Sequence, residues 1–152
     1  MTNWKQRLSA AGCRVTASRQ AVMQVLLDAT TPLSPQQILD RGQLLHHKLG
    51  LVTVYRALAL LEGLHLVRRI HLDDGCHGYL PASPGHRHAL ICRGCGRAVE
   101  FPGGNDLETL IGQVEARTGY RVDDHLLQLS GLCSDCQENV KLTVTPNEVR
   151  GL

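Results

Sequence analysis

Residues 50–81 read GLVTVYRALALLEGLHLVRRIHLDDGCHGYLP, and the fold turns on a change of period inside this stretch. Val54, Leu58 and Leu61 stand at i, i+4 and i+7, the stripe of an amphipathic helix, opened after Gly50 and closed by Gly63. Residues 65–72 and 76–81 then read as two strands around Asp73-Asp74-Gly75, a hairpin signal. Upstream, Trp4, Leu8 and Ala11 form one helical stripe, and Val22, Val25, Leu26 and Ala29 another. Ser34-Pro35-Gln36-Gln37 opens a third helix, with a Ser cap, Pro at the first position and Gln three residues after the cap. Three or four short helices followed by a hairpin make a winged helix-turn-helix. The same pattern also fits a small α+β domain of no special purpose.

Ala82-Ser83-Pro84-Gly85 is a short turn-rich linker. Beyond it come a strand at 88–92, a cysteine turn, a strand at 97–101, and a helix at 106–118 capped by Asn105 and stopped by Gly119. A last strand precedes a second cysteine turn. This α+β unit is too small for a large core and is expected to need staples. The expected organisation is a winged-helix half at 1–82, a metal-binding half at 83–137, and a tail at 138–152 without clear pattern.

The charge is divided along the chain. Residues 1–72 carry nine Lys/Arg and three acids, the remainder seven and eleven, so a +6 half is joined to a −4 half. Only the first half is suited to a polyanion. No stretch approaches the ~18 apolar residues of a membrane span, and the N-terminus lacks a signal-peptide core, so a cytoplasmic protein without membrane contact is expected.

Four of the six cysteines form two C-x-x-C pairs, Cys92/Cys95 and Cys133/Cys136, flanked by Gly94, Gly96 and Gly131. Two such turns place four thiolates around a tetrahedral zinc, and four sulfurs leave no open position. Such a zinc is structural, closing a unit that cannot stabilise itself. A redox dithiol or two unrelated pairs are the other readings; a dithiol needs only one pair, normally opening a helix after a strand.

With Val54, Leu58 and Leu61 turned inward, the fourth helix presents Tyr55, Arg56 and Ala59 outward. An Arg and a Tyr near a helix N-terminus can reach base edges and thymine methyls in a major groove. Lys5, Arg7, Arg14 and Arg19 lie in a stretch with no acid before Asp28, suited to phosphates or a minor groove. A merely solvated polar face would look the same.

These residues carry a resemblance. Arg14-Val15-Thr16 with Arg19, and Gly50-Leu51-Val52-Thr53-Val54-Tyr55-Arg56-Ala57-Leu58, resemble the DNA-binding half of Fur-family (ferric uptake regulator) repressors. His86-x-His88, Cys92-x-x-Cys95-Gly96, His125 and Gly131-Leu132-Cys133-x-x-Cys136 resemble their dimerisation half, so the match spans roughly residues 5–136. The resemblance implies a homodimer, metal-gated binding to a palindromic double-stranded DNA operator, and repression of metal-uptake genes, with neither catalysis nor a small-molecule substrate. It places Arg14, Arg19, Thr53, Tyr55 and Arg56 on DNA and the four cysteines on structural zinc. The family's regulatory metal takes a histidine pair, a helix carboxylate and a histidine before the last cysteine pair; those positions here read His86, His88, Glu108 and His125. Glu108 could instead close a capping box with Asn105, and His125 could be a half-buried strand residue.

The family often has a second site near the hinge, and there this chain departs: Pro32-Leu33 replaces the usual histidine and Leu80 the usual carboxylate. His71, Cys76, His77 and Glu100 could rebuild a site with a sulfur ligand, or be exposed turn residues. Softer N/S ligation favours zinc over Fe²⁺ or Mn²⁺ as the sensed ion. An iron-, manganese- or peroxide-responsive regulator is the alternative, peroxide sensing lacking a second carboxylate for an iron site. Rivals of other classes are a non-sensing DNA-binding protein with structural zinc only and a C-x-x-C oxidoreductase. A zinc hydrolase lacks a three-ligand set with a water-activating partner.

Overall fold

The computed structural model describes residues 4–72, 75–104 and 107–143, with side chains through Glu138. In chain order the elements are α1 (Trp4–Ala10), α2 (Ala17–Leu27), α3 (Pro35–Leu45), α4 (Leu51–Gly63), β1 (Val67–His71), β2 (His77–Pro81), β3 (Arg87–Cys92), β4 (Ala98–Pro102), α5 (Glu108–Thr118), β5 (Gln128–Gly131) and α6 (Ser134–Thr143). The chain is α+β, as the sequence predicts.

Capping explains where the helices begin. The Thr16 hydroxyl accepts the Arg19 N–H at 3.3 Å and starts α2. Ser34 and Gln37 exchange reciprocal bonds of 3.2 and 2.9 Å ahead of Pro35, the predicted capping box of α3. The stripes of α1–α4 then meet: Leu8, Val22, Leu26, Ile38, Val54, Leu58 and Leu61 are buried together. Tyr79 from β2 joins this core.

The wing is the antiparallel pair β1–β2, in register from Val67 opposite Pro81 to His71 opposite His77. The α2–α3 connection adds a bridge, with Leu33 and Tyr79 exchanging N–H···O bonds of 3.1 and 2.9 Å. Gly78 allows the close approach, since a Cβ there would fall 2.5 Å from the Pro32 Cβ. Of the predicted turn, Gly75 lies at φ +77°, while Asp73 and Asp74 lie outside the described residues.

The second sheet has the order β4-β3-β5, β3 antiparallel to β4 and parallel to β5. A parallel neighbour requires a crossover, and α5 lies in it, ending on Gly119 at φ 72°. The predicted cap Asn105 lies outside the described residues. The small core, Ile70, Ala89 and Ile91 with Leu72, Leu80 and Ala98 against it, is shared between wing and sheet. By contrast, α5 buries none of its residues, and Leu110 is 55% exposed.

One expectation is corrected. The chain after Gln137 continues in helix to Thr143, because α6 begins inside the second cysteine turn. The Gln137 N–H donates to the Cys133 carbonyl at 2.9 Å, so Cys133 opens the helix and Cys136 lies in its first turn.

Candidate metal centres and nucleic-acid face

The four Sγ atoms of Cys92, Cys95, Cys133 and Cys136 lie within 4.8 Å of one another, with Cys95 and Cys133 3.8 Å apart. Thiolates on a tetrahedral zinc with bonds of about 2.3 Å stand about 3.8 Å apart, so the donor set fits that ion. Cys92 ends β3, Cys95 follows in the turn, and the other pair opens α6. Gly94 must be bare, because a Cβ there would sit 2.7 Å from the Cys136 sulfur.

Electrostatics agree with cation binding. The Cys133 backbone N–H, 3.3 Å away, and that of Cys95 hold the Cys92 thiol down to about 6. Hydrogen bonding to the Cys133 and Cys92 sulfurs pushes Cys136 up to about 12. Four thiols this close cannot all ionise unless a cation stands among them.

The second convergence is histidine. His86, just before β3, His88 in β3 and His125, between α5 and β5, also bring ligand nitrogens within 4.8 Å of one another. The Nε2 atoms of His86 and His125 are 2.9 Å apart. Alternation along the extended chain puts His86 and His88 on one face, as the spacing predicts. His88 is buried, its ring 5.4 Å from that of Phe101. Gly103 forms the wall: a Cβ there would meet His86 Cε1 and Nδ1 and His88 Nε2, each at 2.9 Å.

Glu108, the fourth expected ligand, is not brought into this group. It stands exposed in the first turn of α5, a helix that buries none of its residues and so is not drawn toward the sheet. The structure thus converges three imidazoles where the resemblance implies a quartet.

The second expected set is dispersed. His71 and His77 face each other across the wing, ring centroids 4.8 Å apart, and Cys76 adjoins them, exposed. Glu100 is elsewhere: its carboxylate lies 3.2 Å from Arg68 Nε and 3.7 Å from Arg87 Nε, and accepts the Ser83 N–H at 3.0 Å. Among the described residues these four form no metal-binding group. Two guanidiniums, one of them from β1 of the hairpin itself, engage the carboxylate instead.

On α4, Val54, Ala57, Leu58 and Leu61 are buried while Thr53, Tyr55, Arg56 and Ala59 are exposed. Arg14 is exposed, and the Arg19 guanidinium donates to the Arg14 carbonyl, holding the loop before α2. Arg7, expected among the phosphate-facing bases, donates instead to the Leu64 carbonyl at 2.7 Å. Leu64 caps α4, so this cation meets the negative helix end. Gly103 and Arg68 carried no sequence signal of a role, because their importance lies in what approaches them from distant segments. Among the described residues, no helix is long and apolar enough to cross a membrane.

Residues 10–130 match the model of the ferric uptake regulator family. The chain is 34% identical over 130 residues to a zinc uptake regulation protein of Mycobacterium tuberculosis, covering 86% of this chain and 99% of that one. It is 31% identical over 142 residues to a ferric uptake regulation protein of Shigella flexneri, covering 91% and 95%. A solved zinc uptake regulator complexed with zinc and DNA shares the fold at a TM-score of 0.77, with 22% identity over 91% of this chain and 93% of that one. The ferric uptake regulator of Vibrio cholerae aligns at a TM-score of 0.59, with 27% identity over 86% and 100%. With matching motifs, matching order and a family match spanning most of its length, the chain belongs to the ferric uptake regulator family of metal-responsive transcription regulators, and is not an enzyme.

Proposed function

We propose that this protein is a cytoplasmic, dimeric repressor of metal-uptake genes that binds a palindromic operator when zinc occupies its histidine centre. The observation that carries the reading is the pairing of a closed four-thiol set with a separate three-imidazole set on the same sheet. The first set is chemically complete and suits a structural zinc held by Cys92, Cys95, Cys133 and Cys136. The second, His86, His88 and His125, offers three neutral imidazoles in place of four thiolates, a separate donor set for a second ion. An imidazole-only donor set suits zinc and disfavours Mn²⁺, which prefers oxygen ligands. This replaces the sulfur-based argument for zinc, since Cys76 is not gathered into a site, and the kinship to a zinc uptake regulation protein supports it.

The DNA-binding half, residues 1–82, would present Thr53, Tyr55 and Arg56 to the major groove, with Arg14 and Arg19 at the backbone. The half at 83–137 would dimerise, the tail following at 138–152. Leu90, Val99, Leu110, Val114 and Leu129 are exposed in the single chain, and a second copy would cover such an apolar surface. Metal binding would favour the arrangement that sets two recognition helices at operator spacing. The thiols would be zinc-held rather than free for dithiol chemistry.

The test is DNA binding titrated with zinc, iron, manganese and nickel on protein already holding its cysteine-bound metal. Zinc is expected to raise affinity at the lowest free concentration. Affinity that ignores every added metal would reduce the protein to a non-sensing DNA binder.

A further inference from the structure

The junction between wing and C-terminal sheet converges on one carboxylate. Glu100 of β4 faces Arg68 of β1 at 3.2 Å and Arg87 of β3 at 3.7 Å, and takes the Ser83 N–H of the linker at 3.0 Å. Arg68 also donates to the Arg87 carbonyl. Wing, linker and both long strands of the sheet therefore meet at a side chain only 18% exposed. A second contact crosses the same junction. The Gln128 amide of β5 accepts the His71 N–H at 2.9 Å and donates to the His71 carbonyl at 2.7 Å, imitating a strand neighbour.

Arg87 stands between His86 and His88 in sequence, and alternate residues of a strand face opposite ways. One rigid element thus presents imidazoles to the metal centre on one face and a guanidinium to Glu100 on the other. The ion cluster is also incompletely aligned. Arg68 Nε, Arg87 Nε and Glu100 Oε1 are buried without a well-formed hydrogen bond. Buried polar atoms left so are costly, so the energy of the cluster depends on how β3 is placed against β1.

We propose that Glu100 is a positioning residue that transmits occupancy of the His86/His88/His125 centre, through Arg87 and Arg68, to the orientation of the wing and its recognition helix. The proposal rests on the metal-responsive reading above. Pro32, Leu33 and Leu80 leave the hinge without the ligands of a second metal. Two permanent guanidinium cations stand there against a single carboxylate.

The experiment uses the full chain with its cysteine site filled, and a duplex selected from random sequence by the zinc-loaded wild type. The zinc-dependent gain in DNA affinity and the number of zinc ions bound are measured for wild type, Glu100→Gln and Glu100→Asp. Glu100→Gln is expected to bind as many zinc ions as wild type while its gain falls about ten-fold, within the usual span of allosteric coupling. Glu100→Asp, which keeps the charge, is expected to recover part of the gain. Should Glu100→Gln not fold, Arg68→Gln tests the same link from the wing side. A full gain in the neutral variant, one zinc ion fewer bound, or an Asp variant no better than Gln overturns the assignment. If wild type itself gains nothing from zinc, the metal-responsive reading falls and this inference with it.

Discussion

Replacing Gly103 by Ala is expected to weaken zinc at the histidine centre about 10- to 100-fold while leaving the four-thiol zinc in place. The added Cβ would stand 2.9 Å from three atoms of His86 and His88. Ordinary carbon contacts begin near about 3.5 Å, so one or both rings must retreat by about 0.6 Å. Metal–ligand distances tolerate about 0.2 Å, so the displaced rings cannot both keep their bonds. Disturbing the supports of metal ligands costs about 10- to 100-fold in affinity, or about 1.4–2.7 kcal/mol. The fold should suffer less. Gly103 is absent from the positive-φ residues, so its backbone accepts Ala, and His86 is exposed and can swing outward. The assay is competition for zinc against a chromophoric chelator, on protein whose cysteine site is already filled, with thermal unfolding run alongside. Wild-type zinc affinity in Gly103→Ala would refute the claim that this wall shapes the centre.

Four further outcomes are expected. His125→Ala should remain folded and dimeric yet lose the zinc-dependent gain in DNA affinity; a wild-type response removes the histidine centre as sensor. Arg56→Ala should weaken operator binding by about 1–3 kcal/mol and relax sequence preference, which a competition series with mutated duplexes would reveal; unchanged binding moves the recognition face elsewhere. Cys133→Ser should lose the tightly held zinc and the folded dimer, as elemental analysis and light scattering would report, and a metal-free folded wild type would contradict the structural role. In chelator-treated protein the four thiols lose the cation that gathers them, so the C-terminal half should unfold, as circular dichroism would report; protein that stays folded and dimeric without zinc would contradict the structural role.

Much of the scaffold was legible residue by residue because the forces that shape it are short-ranged. The Ser34/Gln37 capping box, the Val54/Leu58/Leu61 stripe and the Gly119 stop act within one or two turns, and each appears where the sequence puts it. The cysteine pairs were legible for the same reason, since each C-x-x-C turn is local and tetrahedral zinc asks only that two such turns meet. The resemblance supplied the expected order of the halves and the base contacts proposed for Tyr55 and Arg56, which periodicity alone left open.

What only the tertiary structure decided lies across long separations in the chain. Arg7 reads as a phosphate contact until Leu64, 57 residues away, claims it for a helix end. Glu100 reads as a metal ligand until Arg68 and Arg87 neutralise it. Glu108 fits the expected quartet by position, yet α5 turns it to solvent. The roles of Gly103 and Gln128 exist only because His86 and His71 are brought against them. A sequence names which donors and charges a chain owns through local rules of spacing. Which of them share a centre is set by strand register and by the seating of the wing on the sheet, where burial and charge pairing choose among partners that no local period distinguishes.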